Sequence, residues 1–534
     1  MTLFRLFRTS FSGFLSSAER EPATAGSQPL AADSPSKTSS SASARGLGGL
    51  EVRRLLLLLT LAALGSCQTM QPVLTPRATA VPATFGTAAA TAGATDSASI
   101  AAQPWQQFFA DPNLIGLLDT ALRANPDLLI AVQRVEVARA SVQAARGALL
   151  PAVNGVAAAS ADRFATLSGT GYNATNDGRQ LPTVAPDYFL GLRSAWEIDL
   201  WGKLRSRRRA AVARMLATEQ GRRLVQTALV AQVARLYYEL LTLDSQLDVL
   251  GKNERLQSRA LEIVRVQKVG GRATELAVQQ FTAQLLRTRS GEVEVQQRIL
   301  ATENQLNRLL GRYPQPIARG LPIQQQPLPA VLTTGLPAEL LLRRPDVQQA
   351  ELALLATKAD VAAARAAFLP SLTLSPYVGL NAYKASLLLS TPGSLAYGLL
   401  AGVSAPLFNR NVLRAEYTQS AARQRIAYFE YQRSIQTGFE EVTTSLRGLQ
   451  NYQRVYALQQ QEVAALTKAV DISNDLYTAS YATYLEVITA QRSALEAELN
   501  LTTTRREQFL QLIDLYRALG GGAPLATSDA AALR

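Results

Sequence analysis

The chain has 534 residues, of which 47% are hydrophobic and 18% charged, and its 54 lysines and arginines against 41 aspartates and glutamates give a formal net charge of +13. It contains no histidine and one cysteine, Cys67, which excludes histidine-based metal sites, Ser-His-Asp triads, Cys-His pairs and disulfide bonds within the chain. Because neither a glycine-rich phosphate loop nor a localised pair of carboxylates is found, we expect no enzyme and no cofactor.

A basic and apolar segment near the N-terminus has the features of an export signal. Two arginines at positions 53 and 54 precede the apolar run 55–63, which is too short to span a bilayer as a helix. The run ends in Leu64-Gly65-Ser66-Cys67, which resembles the lipobox of bacterial lipoproteins, in which cleavage leaves the cysteine as a diacylated N-terminus. A chance cysteine behind a signal peptide is the alternative. Gln68 follows the cysteine, and a residue of this kind at that position resembles lipoproteins that are sorted to the outer membrane.

These features divide the N-terminal region into two parts. We expect residues 1–66 to be a leader and lipoprotein signal peptide, and residues 67–103 to be a lipid-anchored tether rich in Pro, Ala and Thr. No signal peptide needs residues 1–51, which are rich in Ser, Ala and Pro. A misassigned start, with translation beginning at Val52, would account for them.

Two parts of the chain are similar at a nearly constant spacing. The segment opened by Asn125-Pro126-Asp127 matches the one opened by Arg344-Pro345-Asp346 at an offset of 219 residues, and Gly271 matches Ser480 at an offset of 209. Such agreement indicates an internal duplication. We assign residues 104–311 to a first repeat, 312–336 to a linker, 337–521 to a second repeat and 522–534 to a C-terminal tail.

Two long segments predict α-helices of unusual length. From Leu204 to Val269, and from about Val412 to Ala479, there is no proline, and apolar residues recur at spacings of three and four. A helix of about 66 residues is roughly 100 Å long. Helices of this kind need partner helices along their whole length.

Four shorter segments, 152–164, 188–200, 372–380 and 397–407, have apolar residues at every second position and are predicted to be strands. Each has about the length of a tilted membrane-spanning strand, with one apolar face and one polar or small-residue face. A soluble sandwich gives the same alternation. In a membrane, however, four strands cannot close a barrel, and an open sheet edge costs several kcal/mol per unpaired backbone group. The membrane interpretation therefore requires several chains.

Three ordered motifs resemble one family, and the resemblance covers about residues 105–521. They are similar to the opening, the strand-to-helix passage and the second-half signature of outer-membrane efflux lipoproteins of the TolC superfamily. The motifs are Trp105-x-x-Phe108-Phe109-x-Asp111-Pro112, Trp196-Glu197-Ile198-Asp199-Leu200-Trp201-Gly202-Lys203-Leu204 and Leu342-Arg343-Arg344-Pro345-Asp346-Val347.

The resemblance implies a mixed α/β membrane protein with two structural repeats. In this fold four transmembrane β-strands per chain complete a 12-stranded trimeric β-barrel, which is continued by a long α-helical barrel. The chain would be lipid-anchored in the outer membrane of a Gram-negative bacterium, in contact with outer-membrane lipid, with its helical part in the periplasm.

The implied function is that of an exit duct in a tripartite efflux pump. As a homotrimer, the protein would passively conduct small molecules such as drugs from a periplasmic membrane-fusion adaptor and an inner-membrane pump of the resistance-nodulation-division class. The alternative is a lipid-anchored periplasmic coiled-coil structural or adaptor protein without a pore, which would need neither the four strands nor two near-equal halves. Nucleic acid is not expected as a partner, because the basic residues are spread without interleaved aromatic residues.

Candidate gate residues lie near the periplasmic end predicted for the long helices. Asp471 and Asp475 are one helical turn apart, and Tyr477 beside them can donate a phenolic hydrogen bond. Glu486 is a fourth candidate, because an acidic residue near this position can narrow the closed end in the family. It also fits a capping box with Thr483, the interpretation that we favour. For Asp471 and Asp475, a solvated outer face is the alternative.

The turns between the long helices and the helices that follow are the candidate adaptor-docking tips. In the first repeat they comprise Gly270, Gly271 and Arg272, and in the second repeat Ser480 and Tyr481. The family usually has glycine where Ser480 stands. The second tip therefore departs from the family pattern at the predicted docking turn.

Overall fold

The computed structural model describes residues 104–163, 184–328, 343–406, 408 and 410–521. Cys67, the signal peptide, the tether and the C-terminal tail lie outside these described residues. No helix in the described part of the chain is both long enough and apolar enough to cross a membrane.

The helices and strands follow one another in the same order in both halves of the chain. A short helix, α1, comes first, and a single 3-10 turn at Ala385–Leu387 lies between the last two strands. In chain order the elements are α1 (Trp105–Phe108), α2 (Pro112–Ala124), α3 (Pro126–Gly147), β1 (Ala152–Asp162), β2 (Ala185–Ile198), α4 (Lys203–Val269), α5 (Glu275–Leu309), α6 (Pro345–Ala366), β3 (Ser371–Ala382), β4 (Leu395–Ser404), α7 (Arg410–Thr478) and α8 (Tyr484–Ala518).

The long helices and all four strands are present where the periodicity predicts them. Helix α4 has 67 residues and α7 has 69, and their ends lie within two residues of the predicted ones. The strand ends differ from the predicted ones by up to three residues. In particular, β2 stops at Ile198 and leaves Asp199 outside the sheet. The Asp199 carboxylate instead accepts hydrogen bonds from the backbone N–H groups of Leu204 (3.1 Å) and Arg205 (2.8 Å), and so caps the start of α4.

The four strands form one antiparallel sheet in the order β1-β2-β3-β4. In its register Leu192 lies opposite Val378, and Val378 lies opposite Tyr397, so these apolar residues share one face. The neighbouring residues Arg193 and Tyr377 share the other face. Because side chains alternate, most of the large apolar residues of the four strands collect on one face, which we call the apolar face. It is broadly exposed in the single chain, as Leu399 at 68% and Val403 at 72% illustrate.

The long helices pack side by side and continue away from the sheet. Helix α4 packs against α5, and α7 packs against α8, while α8 also packs against α4 and so joins the two halves. The shorter helices lie on this layer: α2 and α3 pack on α4, and α6 packs on both α4 and α7. Each long helix thus has partners, as its length requires.

Aromatic residues form the centre of the main apolar core. Phe108, from the opening motif, stacks on Tyr516 of α8 with ring centroids 4.3 Å apart, and Phe109 meets the same ring edge-on. Tyr238 of α4 stacks on Phe509 of α8, also at 4.3 Å. The opening motif therefore attaches the N-terminal helices to the place where α4 and α8 meet. Such ring pairs contribute about 0.5–1.5 kcal/mol each beyond their buried area.

A buried carboxylate organises the polar contacts beside this core. Asp111, which is 5% exposed, accepts hydrogen bonds from the backbone N–H of Asn113 (2.9 Å), the Tyr237 hydroxyl (2.7 Å) and the Gln326 amide (2.8 Å). The Tyr237 oxygen in turn accepts from the backbone N–H of Gly320 at 2.9 Å. Burial, together with the Asp111 charge, raises the pKa of Tyr237, so its hydroxyl remains a donor. This network attaches the segment after α5 to α2 and α4.

Replacing Tyr237 with phenylalanine should lower the free energy of unfolding by about 1–3 kcal/mol, because Asp111 loses a donor and the Gly320 N–H loses its acceptor in a buried place. The midpoint of guanidinium unfolding of the detergent-purified protein measures this change. Tyr238→Phe is the matched control, since no hydrogen bond of the Tyr238 hydroxyl occurs among the described residues, and it should cost less than about 1 kcal/mol. Equal losses in the two variants would contradict the assigned role of the Tyr237 hydroxyl.

Candidate functional site

The two predicted docking tips have the same backbone geometry. Gly271 has φ +73° and Ser480 has φ +66°, both in the left-handed region. In the first tip the N–H of Arg272 donates to the carbonyl of Gln267 at 2.8 Å, and in the second the N–H of Tyr481 donates to that of Leu476 at 2.8 Å. Every partner is displaced by 209 positions, the offset seen in the sequence. Both long helices therefore end in a Schellman turn.

Ser480 is the only non-glycine residue with positive φ in the described part of the chain. A residue with a Cβ atom pays roughly 1–2 kcal/mol for this conformation, which glycine avoids. Ser480, which stands where the family usually has glycine, therefore adopts the same turn as Gly271 but with backbone strain.

The tips themselves are exposed, whereas the residues just behind them are packed. Val269 and Tyr481 are 91% and 85% exposed, and a Cβ atom on Gly271 would have no other atom within 4 Å. Gly270 closes α4 with its N–H bonded to Val266 at 3.1 Å. The predicted docking residues thus lie together at two exposed turns, one at the end of each long helix.

A small apolar cluster holds the two tips together. Phe281 of α5 is 1% exposed and packs among Val264 of α4 and Val487 of α8, with Tyr477 and Tyr484 against the cluster. The burial raises the pKa of Tyr477. Tyr477 therefore packs its ring into the junction between the hairpins, a role that its position beside the aspartates does not reveal.

The four predicted gate residues are near one another along the chain but are not bonded to one another. Asp471 and Asp475 are exposed on α7. Among the described residues, no hydrogen bond or ion pair involves either carboxylate. Glu486 accepts from the backbone N–H of Thr483, and from the Thr483 hydroxyl at 3.0 Å, in a capping box at the start of α8. The structure thus contains the capping box predicted for Glu486, and the two aspartates have no side-chain partner among the described residues of their own chain.

The strand-to-helix passage contains contacts that sequence reasoning missed. The indole N–H of Trp201 donates to the carbonyl of Pro370 at 2.7 Å, and that of Trp196 donates to the carbonyl of Leu149 at 3.0 Å. Lys203 forms an ion pair with Glu197. The Trp201 bond joins the first half to the second half at the base of the sheet. Two tryptophans in one short motif were the available signal, because an indole N–H in a folded chain usually finds an acceptor.

No cluster suited to a metal ion occurs in the residues that the structure describes. The arrangement instead offers a sheet with one apolar face, a layer of long helices and two exposed turns at the far end of that layer. These are parts that can cross a membrane, enclose a passage and contact another protein.

Known proteins are similar to this chain in sequence over most of its length. The family model for outer membrane efflux proteins matches the chain twice, over residues 117–312 and 336–521. The chain is 32% identical over 463 residues to the solvent efflux pump outer membrane protein SrpC of Pseudomonas putida, covering 86% of this chain and 96% of SrpC. It is 33% identical over 436 residues to the pyoverdine export outer membrane protein OpmQ of Pseudomonas aeruginosa, covering 81% and 89%.

A solved structure has a similar fold. The open state of the MtrE outer membrane channel of Neisseria gonorrhoeae superposes on this chain with a TM-score of 0.73 at 26% identity, covering 84% of this chain and 97% of MtrE. The similarity therefore includes the sheet as well as the long helices.

Exchanging the residue types of the two tips should change their stability in opposite directions. Gly271→Ala has room for the added methyl group but should destabilise its turn by about 1–2 kcal/mol, because alanine disfavours the left-handed conformation. Ser480→Gly should stabilise the other turn by up to about 1 kcal/mol. Hydrogen exchange of the Arg272 and Tyr481 amides, which close the turns, measures both changes. Faster exchange in both variants would show that the left-handed strain is not what distinguishes the tips.

Proposed function

The chain belongs to the outer membrane efflux protein family, and from this membership we propose how it forms its duct. The predicted resemblance to the TolC superfamily is confirmed by the double family match and by the identity with SrpC and OpmQ. The protein is an outer-membrane channel that serves as an exit duct for efflux, and it is not an enzyme. The alternative of a periplasmic coiled-coil or adaptor protein without a pore is thereby wrong.

We propose that three chains close one barrel. The observation that carries this proposal is the open four-stranded sheet, whose edge strands β1 and β4 have no neighbours on their outer sides among the described residues. Unpaired backbone groups in lipid cost several kcal/mol each, so the edges must pair with those of other chains. Four strands from each of three chains would give twelve, with the apolar face toward lipid and Arg193 and Tyr377 toward the lumen.

The helices support the same assembly. Exposed apolar residues line the outer helices of the layer, in contrast to the buried contacts between α4 and α8. Packing α5 of one chain against α7 of the next would cover them and close a helical tunnel below the barrel. The exposed residues are Leu276, Leu286, Val293 and Leu300 on α5, and Ile426, Phe429, Leu458 and Ile472 on α7.

We propose that the tunnel joins a periplasmic membrane-fusion adaptor and an inner-membrane resistance-nodulation-division pump, as in a tripartite system. The exposed turns around Gly271 and Ser480 are the surfaces on which an adaptor would dock. SrpC is named for solvents and OpmQ for pyoverdine, so the substrates of this duct belong to the broad class of small molecules that the partner pump selects. Lipid on Cys67 would add a second attachment to the membrane besides the strands.

We further propose the division into repeats 104–311 and 337–521 joined by the linker 312–336, with the leader 1–66, the tether 67–103 and the tail 522–534 outside them. The equal hydrogen-bond patterns at the two tips support this division.

The gate belongs at the tips, where the tunnel would otherwise leak into the periplasm. A few charge-assisted hydrogen bonds of about 1.5–3 kcal/mol each are strong enough to close it and weak enough for an adaptor to open it. Asp471 and Asp475 carry exposed carboxylates without a partner in their own chain's described residues, and so can accept such bonds from a neighbouring chain. Glu486 is occupied by its cap, and Tyr477 holds the two hairpins together.

An aspartate on the apolar face should block assembly. Leu374→Asp places a charge toward lipid, whereas Thr373→Asp, the neighbouring residue on the other face, places the same charge in the lumen. An arginine or lysine that faces lipid at the bilayer midplane costs about 2–4 kcal/mol, and an aspartate costs less but is introduced in every chain of the assembly. The fraction of protein that migrates as a detergent-resistant trimer should fall sharply for Leu374→Asp and little for Thr373→Asp. Equal effects would mean that the two faces are wrongly assigned.

Removing both gate carboxylates should open the channel. The double variant Asp471→Ala, Asp475→Ala loses the proposed bonds between chains, so single-channel conductance in planar bilayers should rise while trimer stability stays unchanged. The matched control is Glu486→Ala, which should weaken the first turn of α8 by about 0.5–2 kcal/mol without raising conductance. A parental conductance in the double variant, with an open channel in Glu486→Ala, would place the gate on α8 instead.

A further inference from the structure

The polar face of the sheet contains an aromatic platform built on glycines. Phe189 is 4% exposed, although it lies on the face opposite the apolar one. Gly191 and Gly379 lie directly opposite each other in β2 and β3, and a Cβ atom on Gly379 would come within 2.9 Å of the Phe189 ring. Because glycine has no side chain, Gly191 and Gly379 leave the space in which the Phe189 ring lies against the sheet.

Arg193 is placed by this platform. Its guanidinium carbon lies 4.3 Å from the centroid of the Phe189 ring, the geometry of a cation–π contact. Tyr377, directly opposite Arg193 in the register, meets Phe189 edge-on at 6.1 Å and 71°. The Tyr377 ring in turn lies over Gly398 of β4, where a Cβ atom would come within 2.9 Å of its hydroxyl. An exposed cation is thus held over the Phe189 ring in the middle of the sheet.

Arg193 is the only lysine or arginine on the polar face of the four described strands. Glu197, four residues along β2, is paired with Lys203, and Asp187, six residues in the other direction, accepts a hydrogen bond from Asn381. At about 3.3 Å per residue these carboxylates are roughly 13 and 20 Å away. Both distances exceed the Debye length of about 8 Å at physiological ionic strength, so salt screens the two carboxylates from Arg193. Neither of them neutralises its positive charge locally.

We propose that Arg193 is a specificity-determining residue of the duct and that three copies of it form a cationic ring in the lumen that favours anionic solutes. This inference rests on the proposed trimeric barrel with its polar face inward. The ligand class follows from the chemistry: guanidinium groups attract small anions and pair with carboxylates, and the adjacent ring of Tyr377, which is 40% exposed, offers a surface to aromatic carboxylates. The proposed ring of Arg193 side chains lies at the level of the membrane, at the opposite end of the fold from the acidic residues at the tips.

The test is the ion selectivity of the purified full-length protein in planar bilayers, from reversal potentials in KCl gradients. Arg193→Gln should lower the ratio of chloride to potassium permeability by about two- to threefold near 0.1 M salt, and Arg193→Glu should lower it further in the same direction. Arg193→Lys should keep the parental ratio. The difference between parent and Arg193→Gln should shrink in 1 M KCl, where the Debye length is about 3 Å. A merely structural role would not produce this salt dependence.

The control is Arg123→Gln, which removes the same charge from an exposed ion pair with Asp119 on α2 and should leave the selectivity unchanged. A detergent-resistant trimer verifies assembly of each variant. If Arg193→Gln and Arg193→Glu both conduct with the parental ratio, the anion ring is refuted while the duct stands. If neither the parent protein nor the Asp471→Ala, Asp475→Ala variant opens any channel, the proposed duct is refuted and the ring with it.

Discussion

The backbone groups on the outer edges of β1 and β4 decide how this protein must assemble. Inside a membrane no water is present to satisfy them, so a sheet with two free edges cannot remain in lipid as a single chain. In the proposed assembly the apolar face lies in the membrane, and other chains pair with the edges and close the sheet. A sheet that is completed only as part of a larger barrel would account for the four strands in the described part of the chain.

The same requirement extends to the helices through the contacts at the base of the sheet. Trp201 and Pro370 connect the two halves at the base of the sheet, between the start of α4 and the end of α6. Farther down, stacked aromatic rings and the Asp111 network hold α4, α8 and the N-terminal helices together. At the tips, Phe281 and Tyr477 join the hairpins. A rigid layer of this kind can transmit a change at the tips to its neighbours in the assembly.

Periodicity predicts the helices and strands well, because an element with one buried side repeats apolar residues at the period of its own backbone. That pattern can be found within the element itself. The proline-free stretch after Leu204 and the alternation around Leu190 and Leu374 carry enough information to place helices and strands within a few residues. The capping box of Glu486 can be predicted for the same reason, since it depends on only four consecutive residues, 483–486.

Contacts between distant parts of the chain could not be predicted in this way. Tyr237 meets Asp111 across 126 positions, and Phe189 lies over Gly379 only because β2 and β3 pair in one register. The packing of Tyr477 into the tip cluster likewise depends on α5 and α8. In the sequence these residues look like an ordinary core tyrosine, a strand phenylalanine and a gate tyrosine, and only the fold shows what each one touches.

The central claim is that a folded molecule of this protein consists of three chains that share one barrel. Native mass spectrometry of the protein extracted gently from outer membranes tests it most directly, because it reports how many chains remain together in one folded particle. The account predicts a dominant species at three times the mass of a single chain and no folded single chain. A folded, stable monomer as the main species would contradict it.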